Sequence, residues 1–221
     1  NVVFNLLKGE LNNKEFKANG SFNLFGKFDF DINSKEQPSF ELYNAILASQ
    51  YLKDITKMLP KIDKVDGTSD FNLKIYGNVK KITDIKVNEN VFAKGTVSTT
   101  NNDVLIQGIP IKSFNSQLTI NGLDINADIK ATVDNEPLNL KAKIIRDFAD
   151  INLNIPKFNP NFLLENYTKF SGKYFPLISL NAKYKGNIEK IQYNKIYLDA
   201  KILKPLSDNI LKLNSGSILL S

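Results

Sequence analysis

Carboxylates are the side chains that this sequence offers for acid–base or metal chemistry, because it contains neither cysteine nor histidine. Zinc and iron–sulfur sites, thiol nucleophiles and histidine-based catalysis are thereby excluded. The remaining candidates are spaced along apparent strands: Asp29 with Asp31, Asp124 with Asp128, and Asp84 with Lys86. Apolar residues alternate with these acids, so we expect the acids on a solvated strand face and not in a cleft. The sequence predicts no enzyme activity and no cofactor.

Two short segments contain residue types found in calcium-binding loops, Asp66-Gly67-Thr68 and Asn101-Asn102-Asp103. Neither has the acidic spacing that a calcium loop requires. Glycine, asparagine and aspartate also favour tight turns. We therefore predict turns at both segments and no metal site.

The charge balance bears on possible partners. The 221 residues include 29 lysines and arginines against 23 acidic residues, for a formal net charge of +6. Arg146 is the only arginine, and arginine is the residue best suited to bidentate recognition of phosphates and bases. We expect no nucleic-acid partner and place the lysines on solvated strand faces.

The two ends of the sequence interrupt strand-like patterns, at Asn1 and at Ser221. No segment approaches the roughly 20 consecutive apolar residues that cross a bilayer as a helix. We expect the chain to be a fragment of a longer protein, with any targeting signal or membrane anchor outside it.

Apolar and polar residues alternate almost without a break between Leu118 and Leu153. Successive side chains of a strand point to opposite faces, so this period of two predicts strands with one apolar and one polar face. Asn121-Gly122, between two such runs, indicates a hairpin. The predicted fold class is mainly β, an antiparallel sheet with one or two short amphipathic helices.

The period changes to three and four residues over 42–59, which predicts an amphipathic helix with Ser39 as its N-cap and Pro60 at its end. Asn159-Pro160, a capping residue followed by proline at the first helical position, predicts a second helix over 161–170.

The second half of the chain resembles the first. Residues 71–82 and 180–191 share asparagine, lysine, glycine and isoleucine at corresponding positions, displaced by 109 residues from Gly77 to Gly186. Each copy follows a predicted helix, which indicates a repeated module. The predicted domains are 1–60, strands plus the amphipathic helix of a first module; 61–158, a sheet of repeated β-hairpins; and 159–221, the helix and strands of a second module.

The apolar strand face is the candidate functional surface. A closed sandwich or barrel would cover it with a second layer, whereas an open sheet would leave it free to accept acyl chains. A tail of about sixteen carbons could gain on the order of 12 kcal/mol there, at about 0.8 kcal/mol per methylene and before ordering costs. The candidate groove residues are Phe71, Leu73, Ile75, Leu118, Ile120, Ile125, Ile129, Leu138, Leu140, Ile144 and Leu153.

Several short motifs resemble the AsmA-like superfamily, which includes AsmA and TamB. They are Tyr76-Gly77 at a strand end, Ala93-Lys94-Gly95-Thr96-Val97, the proline-introduced strand Ile109-Pro110-Ile111, and Asn121-Gly122-Leu123. The resemblance covers roughly residues 65–155, with a weaker copy from about residue 160 onward.

The resemblance implies an elongated, curved, taco-shaped sheet with a hydrophobic interior, in the periplasm of a diderm bacterium. It also implies an inner-membrane anchor and a role in moving phospholipid between the inner and outer membranes. The partners would be phospholipid acyl chains and, as for TamB, an outer-membrane barrel protein. No catalytic residues are implied.

Two alternatives stay open at the level of sequence. One is a scaffold or chaperone segment whose strand edges pair with unfolded outer-membrane polypeptides. The other is a closed β-sandwich with a purely structural role.

Overall fold

The structure is a computed structural model that describes residues 2–11, 13–48, 61–87, 89–162, 175–188, 195–204 and 215–220. The strands are β1 (Val2–Leu11), β2 (Lys14–Phe22), β3 (Lys27–Pro38), β4 (Ile62–Asp66), β5 (Thr68–Asn78), β6 (Val91–Ile106), β7 (Ile109–Asn121), β8 (Asp124–Val133), β9 (Glu136–Ile145), β10 (Phe148–Phe158), β11 (Leu177–Asn187), β12 (Lys195–Lys204) and β13 (Ser215–Leu220). The helical elements are α1 (Ser39–Ala48), a 3₁₀ turn (Ile82–Asp84) and a helical turn at 160–162.

All thirteen strands belong to one antiparallel sheet, which is open and curved. Its order is β1-β2-β3-β5-β6-β7-β8-β9-β10-β11-β12-β13, so nearly every strand pairs with the strands before and after it in sequence. β4 lies off this path and pairs with the far end of β6, beyond β5. The predicted mainly β, curved antiparallel fold is therefore confirmed.

The strand ends line up along two opposite sides of the sheet, and these sides differ in the connections that follow the strands. We call one side the helical rim, because β3 and β10 end there at Pro38 and Phe158 and continue directly into helical segments. We call the other side the turn rim, where β2, β7 and β9 end in short turns at Phe22, Asn121 and Ile145. Each face of the sheet extends from one rim to the other.

Buried apolar side chains concentrate near the helical rim. Five of the seven buried hydrophobic residues lie within the last four residues of strands that end there, and the other two are alanines. The five are Val104, Ala131, Val133, Ile155 and Phe158. The packed core of the described residues is therefore small and lies along one edge of the sheet.

The predicted helix over 42–59 begins three residues earlier, at Ser39, and is described as far as Ala48. Residues 49–60, including the predicted end at Pro60, lie outside the described residues. The Ser39 hydroxyl lies 2.6 Å from Ser69 Oγ and accepts a hydrogen bond from Asn102 Nδ2 at 2.7 Å, so it links the helix start to the sheet. The second predicted helix begins at Pro160, and its residues 163–170 lie outside the described residues.

The predicted turn at Asn101-Asn102 is wrong. β6 runs through both residues, and the chain turns only at Gln107-Gly108. Asn101 has a φ of 54° and forms a bulge, at which the pairing of β6 with β7 shifts register. Asparagine tolerates this left-handed conformation in a bulge as well as in a turn, so the local signal was ambiguous. The predicted turn at Asn121-Gly122 is confirmed. At Gly67 the chain only bends, because β4 and β5 run in the same direction along β6, so the turn predicted there is wrong.

The internal repeat has a structural counterpart. β5 and β11 begin and end at positions displaced by the same 109 residues, and each follows a segment that starts as a helix. The sheet is hydrogen-bonded across both predicted domain boundaries, through the pairs β3–β5 and β10–β11. The division at 60/61 and 158/159 stays a prediction.

Gly95, in the middle of β6, is required by a close approach of the neighbouring strand. Its φ is 143°, and a Cβ placed there would collide with the backbone carbonyl oxygen of Asn72 and lie 2.9 Å from Leu73 Cα. We expect Gly95→Ala to lower the free energy of unfolding by about 3 kcal/mol, because β5 and β6 would have to separate. Urea denaturation measures this, with Ala93→Gly as a milder control on the same face; an unchanged midpoint for Gly95→Ala would contradict the strand pairing.

Candidate functional site

The structure places all eleven predicted groove residues on one face of the sheet. Residues directly opposite each other in an antiparallel pair share a face, so the pairing register traces the face across strands. One such row joins Phe71, Val97, Leu118, Ala127, Ala142 and Ile151. A second joins Leu73, Gly95, Ile120, Ile125, Ile144 and Ala149, and a third joins Ile129, Leu140 and Leu153. We call this surface the apolar face.

The apolar face extends further than the predicted set. Phe30 and Ile32 of β3 lie opposite Ile75 and Leu73, and Ala182 of β11 lies opposite Leu153. The next strand continues the row with Leu198. These residues carry the same period-two signal, so the sequence contained the information needed to include them.

No second sheet covers the apolar face among the described residues. Each of the eleven predicted residues is partly exposed, and none of them belongs to the buried core. A sandwich would bury such side chains between two layers about 10 Å apart. The closed β-sandwich considered from the sequence is therefore wrong for the part of the chain that the structure describes.

The total accessible surface supports the same conclusion. The chain exposes 15,035 Å². A compact monomer of its mass, 24.9 kDa, would expose about 10,200 Å². An open sheet contributes to this excess, because one layer cannot bury its own apolar face.

A belt of polar side chains crosses the apolar face near the helical rim, on β3 to β7. By register Gln37 faces Ser69, Ser69 faces Thr99, and Thr99 faces Ser116. Thr99 Oγ1 and Ser116 Oγ are 2.9 Å apart, and Gln37 Nε2 donates to Ser34 Oγ at 2.7 Å. The row becomes apolar at Ile129 of β8. Hydrogen bonds to Ser39 and to Thr99 let Ser69 and Ser116 lie buried on an otherwise apolar face. The Gln37 Oε1 atom is buried without a hydrogen-bond partner among the described residues.

The polar belt makes the apolar face narrower on the N-terminal strands. β8 presents five consecutive apolar positions on this face, from Ile125 to Val133. β5 presents three, from Phe71 to Ile75, between Ser69 and Gly77. Sequence reasoning missed the belt, although its signal was present: Ser69, Thr99 and Ser116 are polar residues in phase with the apolar ones.

Asn102 anchors the polar belt to the helix and to the bend before β5. Its side chain has 0% exposure. Its Oδ1 accepts a hydrogen bond from the Thr68 backbone N–H at 3.0 Å, and its Nδ2 donates to Ser39 Oγ at 2.7 Å. The Asn102 amide therefore connects β6, β5 and α1 at one buried point.

The opposite face of the sheet is polar and carries four of the five acids considered as catalytic candidates: Asp29, Asp31, Asp124 and Asp128. The fifth, Asp84, lies in the 3₁₀ turn, so its predicted position on a strand face is wrong. Asp29 pairs with Lys74 at 2.7 Å, and Asp128 pairs with Lys141 at 3.5 Å. The hydrogen bond to Asp29 raises the pKa of Lys74, so the lysine stays charged at neutral pH. Lys64 likewise has a raised pKa because of its hydrogen bond to Asp66. Exposed pairs of this kind contribute little to stability.

An open depression of about 520 Å³ lies on this polar face, between β7 and β10. Its lining mixes carboxylates, lysines and amides, among them Asp128, Lys141, Lys143 and Asp150. Alternating charges on a solvated surface do not create the water-excluded setting that acid–base chemistry uses. Within the described residues no group of three or more acidic side chains is placed to hold a metal ion.

Comparison with protein-family models, with curated proteins and with solved structures gave no match to this chain. The AsmA-like resemblance therefore rests on the sequence motifs alone and stays a prediction. Among the described residues, no helix has the length and apolar character needed to cross a membrane.

Proposed function

We propose that this protein conducts phospholipid along the apolar face, as one segment of a bridge between the inner and outer membranes. The observation that supports this most strongly is the placement of all eleven predicted residues on one continuous apolar surface that no second sheet covers among the described residues. A face of this kind requires an apolar occupant, because leaving it in water forfeits about 25 cal/mol for each Å² of apolar area.

The arrangement of the apolar face favours a sliding ligand over a fixed one. The first two rows cross the strands from β5 to β10 with similar side chains at nearly every strand. The row through Leu118, Ala127, Ala142 and Ile151 contains no polar side chain. Neighbouring strands lie about 4.8 Å apart, so an acyl chain meets equivalent contacts at every step. A series of sites with nearly equal binding free energy allows the acyl chain to move, because no single site binds it much more tightly than the next.

The polar belt would orient the lipid. Because the belt closes the helical-rim side of the face on β3 to β7, the acyl chains are confined there to the half nearer the turn rim. The apolar rows offer the polar head group no hydrogen-bond partner, so the head group stays in water beside the sheet. This accommodates different head groups with the same tails.

The AsmA-like resemblance adds a location to this proposal. It implies that the segment lies in the periplasm of a diderm bacterium, in a protein anchored in the inner membrane, with an outer-membrane barrel protein as a further partner. These assignments depend on the motifs at Gly77, Gly95, Pro110 and Gly122.

Photo-crosslinking tests the proposed ligand directly. A benzophenone amino acid at Leu140 lies on the apolar face, whereas the same group at the adjacent Lys141 lies on the polar face. We expect phospholipid adducts from position 140 and few from position 141 when the protein is irradiated after expression in a diderm host. Mass spectrometry identifies the adducts. Equal yields at the two positions, or none at either, would contradict a lipid on this face.

A second candidate function is a scaffold for unfolded outer-membrane polypeptides. It is favoured by β1, which is hydrogen-bonded only to β2 in the described residues and exposes Val3 at 65%. An unpaired edge of this kind accepts an added strand. If the protein is such a scaffold, a photo-crosslinker at position 3 should form adducts with polypeptide. Charged substitutions on the apolar face should then leave its function unchanged.

A further inference from the structure

The turn between β2 and β3 is held rigid by hydrogen bonds. Asn23 Oδ1 accepts from the backbone N–H groups of Phe25 and Lys27, both at 3.0 Å. The Gly26 N–H donates to Asn23 O at 3.0 Å, and the Asn23 N–H donates to Lys27 O at 2.9 Å. Gly26 has a φ of 87°, which glycine adopts without strain. The conformation of this turn is therefore built into the fold.

The rigid turn displays two large apolar side chains to solvent. Leu24 is 94% exposed and Phe25 is 78% exposed, the highest values for large apolar residues in the part of the chain that the structure describes. Phe22, at the end of β2, is exposed as well. Four hydrogen bonds fix a turn that exposes two large apolar side chains to water. Such an exposed apolar surface indicates contact with an apolar partner.

Three exposed lysines lie on the segments that adjoin this turn. Lys27 follows the turn directly, and Lys80 and Lys81 follow Val79, whose N–H donates to Gly26 O at 2.8 Å. None of the three forms an ion pair with any described residue. Farther along the same connection the charges balance, since Lys86 pairs with Glu89 at 3.1 Å. The turn therefore combines apolar tips with a local positive charge.

We propose that this turn docks on the surface of a membrane that contains anionic phospholipid. Leu24 and Phe25 insert among the acyl chains, and Lys27, Lys80 and Lys81 contact the head-group phosphates. A protein partner fits less well, because a stable interface buries about 800 Å² on each side and needs a complementary surface. Two protruding side chains on one tight turn supply much less area, and a bilayer requires no matching shape.

The sequence offers a clean probe of this insertion, because it contains no tryptophan. In Phe25→Trp the single indole reports its own surroundings. We expect its emission to move to shorter wavelength when vesicles of phosphatidylethanolamine and phosphatidylglycerol are added, and to be quenched by brominated acyl chains. Leu203→Trp is the matched control, since Leu203 is 50% exposed on β12, and its emission should not change.

Vesicle binding by variants separates the two parts of the docking surface. We expect Leu24→Ser/Phe25→Ser to weaken binding to anionic vesicles by roughly tenfold or more, because two buried apolar side chains are lost. Lys80→Glu/Lys81→Glu should weaken it to a similar extent and reduce its dependence on salt. The matched controls are Leu203→Ser and Lys112→Glu/Lys130→Glu, which should bind as the unmodified protein does.

The outcomes discriminate between membrane and protein docking. Binding that is lost in both test variants and kept in both controls supports the proposal. Binding that is absent, that is equal on phosphatidylcholine alone, or that survives both test variants overturns it. A short-wavelength emission of Phe25→Trp without vesicles also overturns it, because the turn would then be covered by protein. The apolar-face variant Ile129→Arg should dock normally, so failure of the transport proposal would be seen separately.

Discussion

Ile129→Arg is expected to abolish lipid association while the protein still folds. By register Ile129 lies between Ser116 and Leu140, and it is the middle one of the five apolar positions of β8. An arginine there puts a charge against any acyl chain, and desolvating a charge costs several kcal/mol. We expect phospholipid that co-purifies with the protein, measured by native mass spectrometry, to fall by roughly tenfold or more.

The same variant tests whether the apolar face is open. On an uncovered face the guanidinium can extend to water along its own apolar stem, so the unfolding midpoint should change little. In a closed core the unpaired charge would cost about 3–5 kcal/mol and the protein would unfold. Leu140→Glu, in the same row, is expected to repeat the result.

The control is Gln117→Arg, which places the same charge on the polar face, where Gln117 is exposed and lies opposite Asp128. We expect this variant to retain its lipid. If Ile129→Arg kept its lipid with normal stability, the ligand would lie elsewhere and the transport proposal would fail. If Ile129→Arg unfolded, a second layer would have to cover the face.

Asn102→Ala is expected to cause the largest loss of stability among single substitutions in the polar belt. The change removes the acceptor for the part-buried Thr68 N–H and the donor to the buried Ser39 Oγ. Leaving a buried polar group unpaired costs about 1–3 kcal/mol, and the cavity adds to it. We expect a loss of about 3 kcal/mol, which is roughly 6–12 °C in Tm for a chain of this size.

Asn126→Ala is the matched control for Asn102→Ala. Asn126 is exposed on the polar face of β8, and we expect the change to alter stability by no more than about 0.5 kcal/mol. Differential scanning calorimetry of the two variants gives the comparison. Similar midpoints would show that the hydrogen bonds of Asn102 do not hold β5, β6 and α1 together.

The contrast between Ile129 and Asn102 shows what local sequence can predict. Ile129 was assigned to the apolar face from its neighbours at two-residue spacing, and the register places it there. Asn102 was assigned to a turn because Asn-Asn tolerates turn geometry. Its actual partners, Thr68 and Ser39, are 34 and 63 residues away in sequence, so no local pattern indicates them.

The polar belt is an intermediate case. Ser69, Thr99 and Ser116 lie in phase with apolar neighbours, which is visible in the printed sequence. That they form one row depends on which residue of β5 faces which residue of β6 and β7. A shift of one residue in register would move each of them to the other face.

Alternation alone was enough to determine the strands, their apolar and polar sides and the eleven residues that share a side, because the period of two is a local property of extended backbone. Whether that apolar side is covered was decided only by the tertiary structure. Apart from β4, the described strands follow one another across the sheet in sequence order, so they form a single layer and do not fold back as a second sheet. A strand's own sequence is compatible with either arrangement, because the same alternation of apolar and polar residues results whether protein or lipid covers the apolar face.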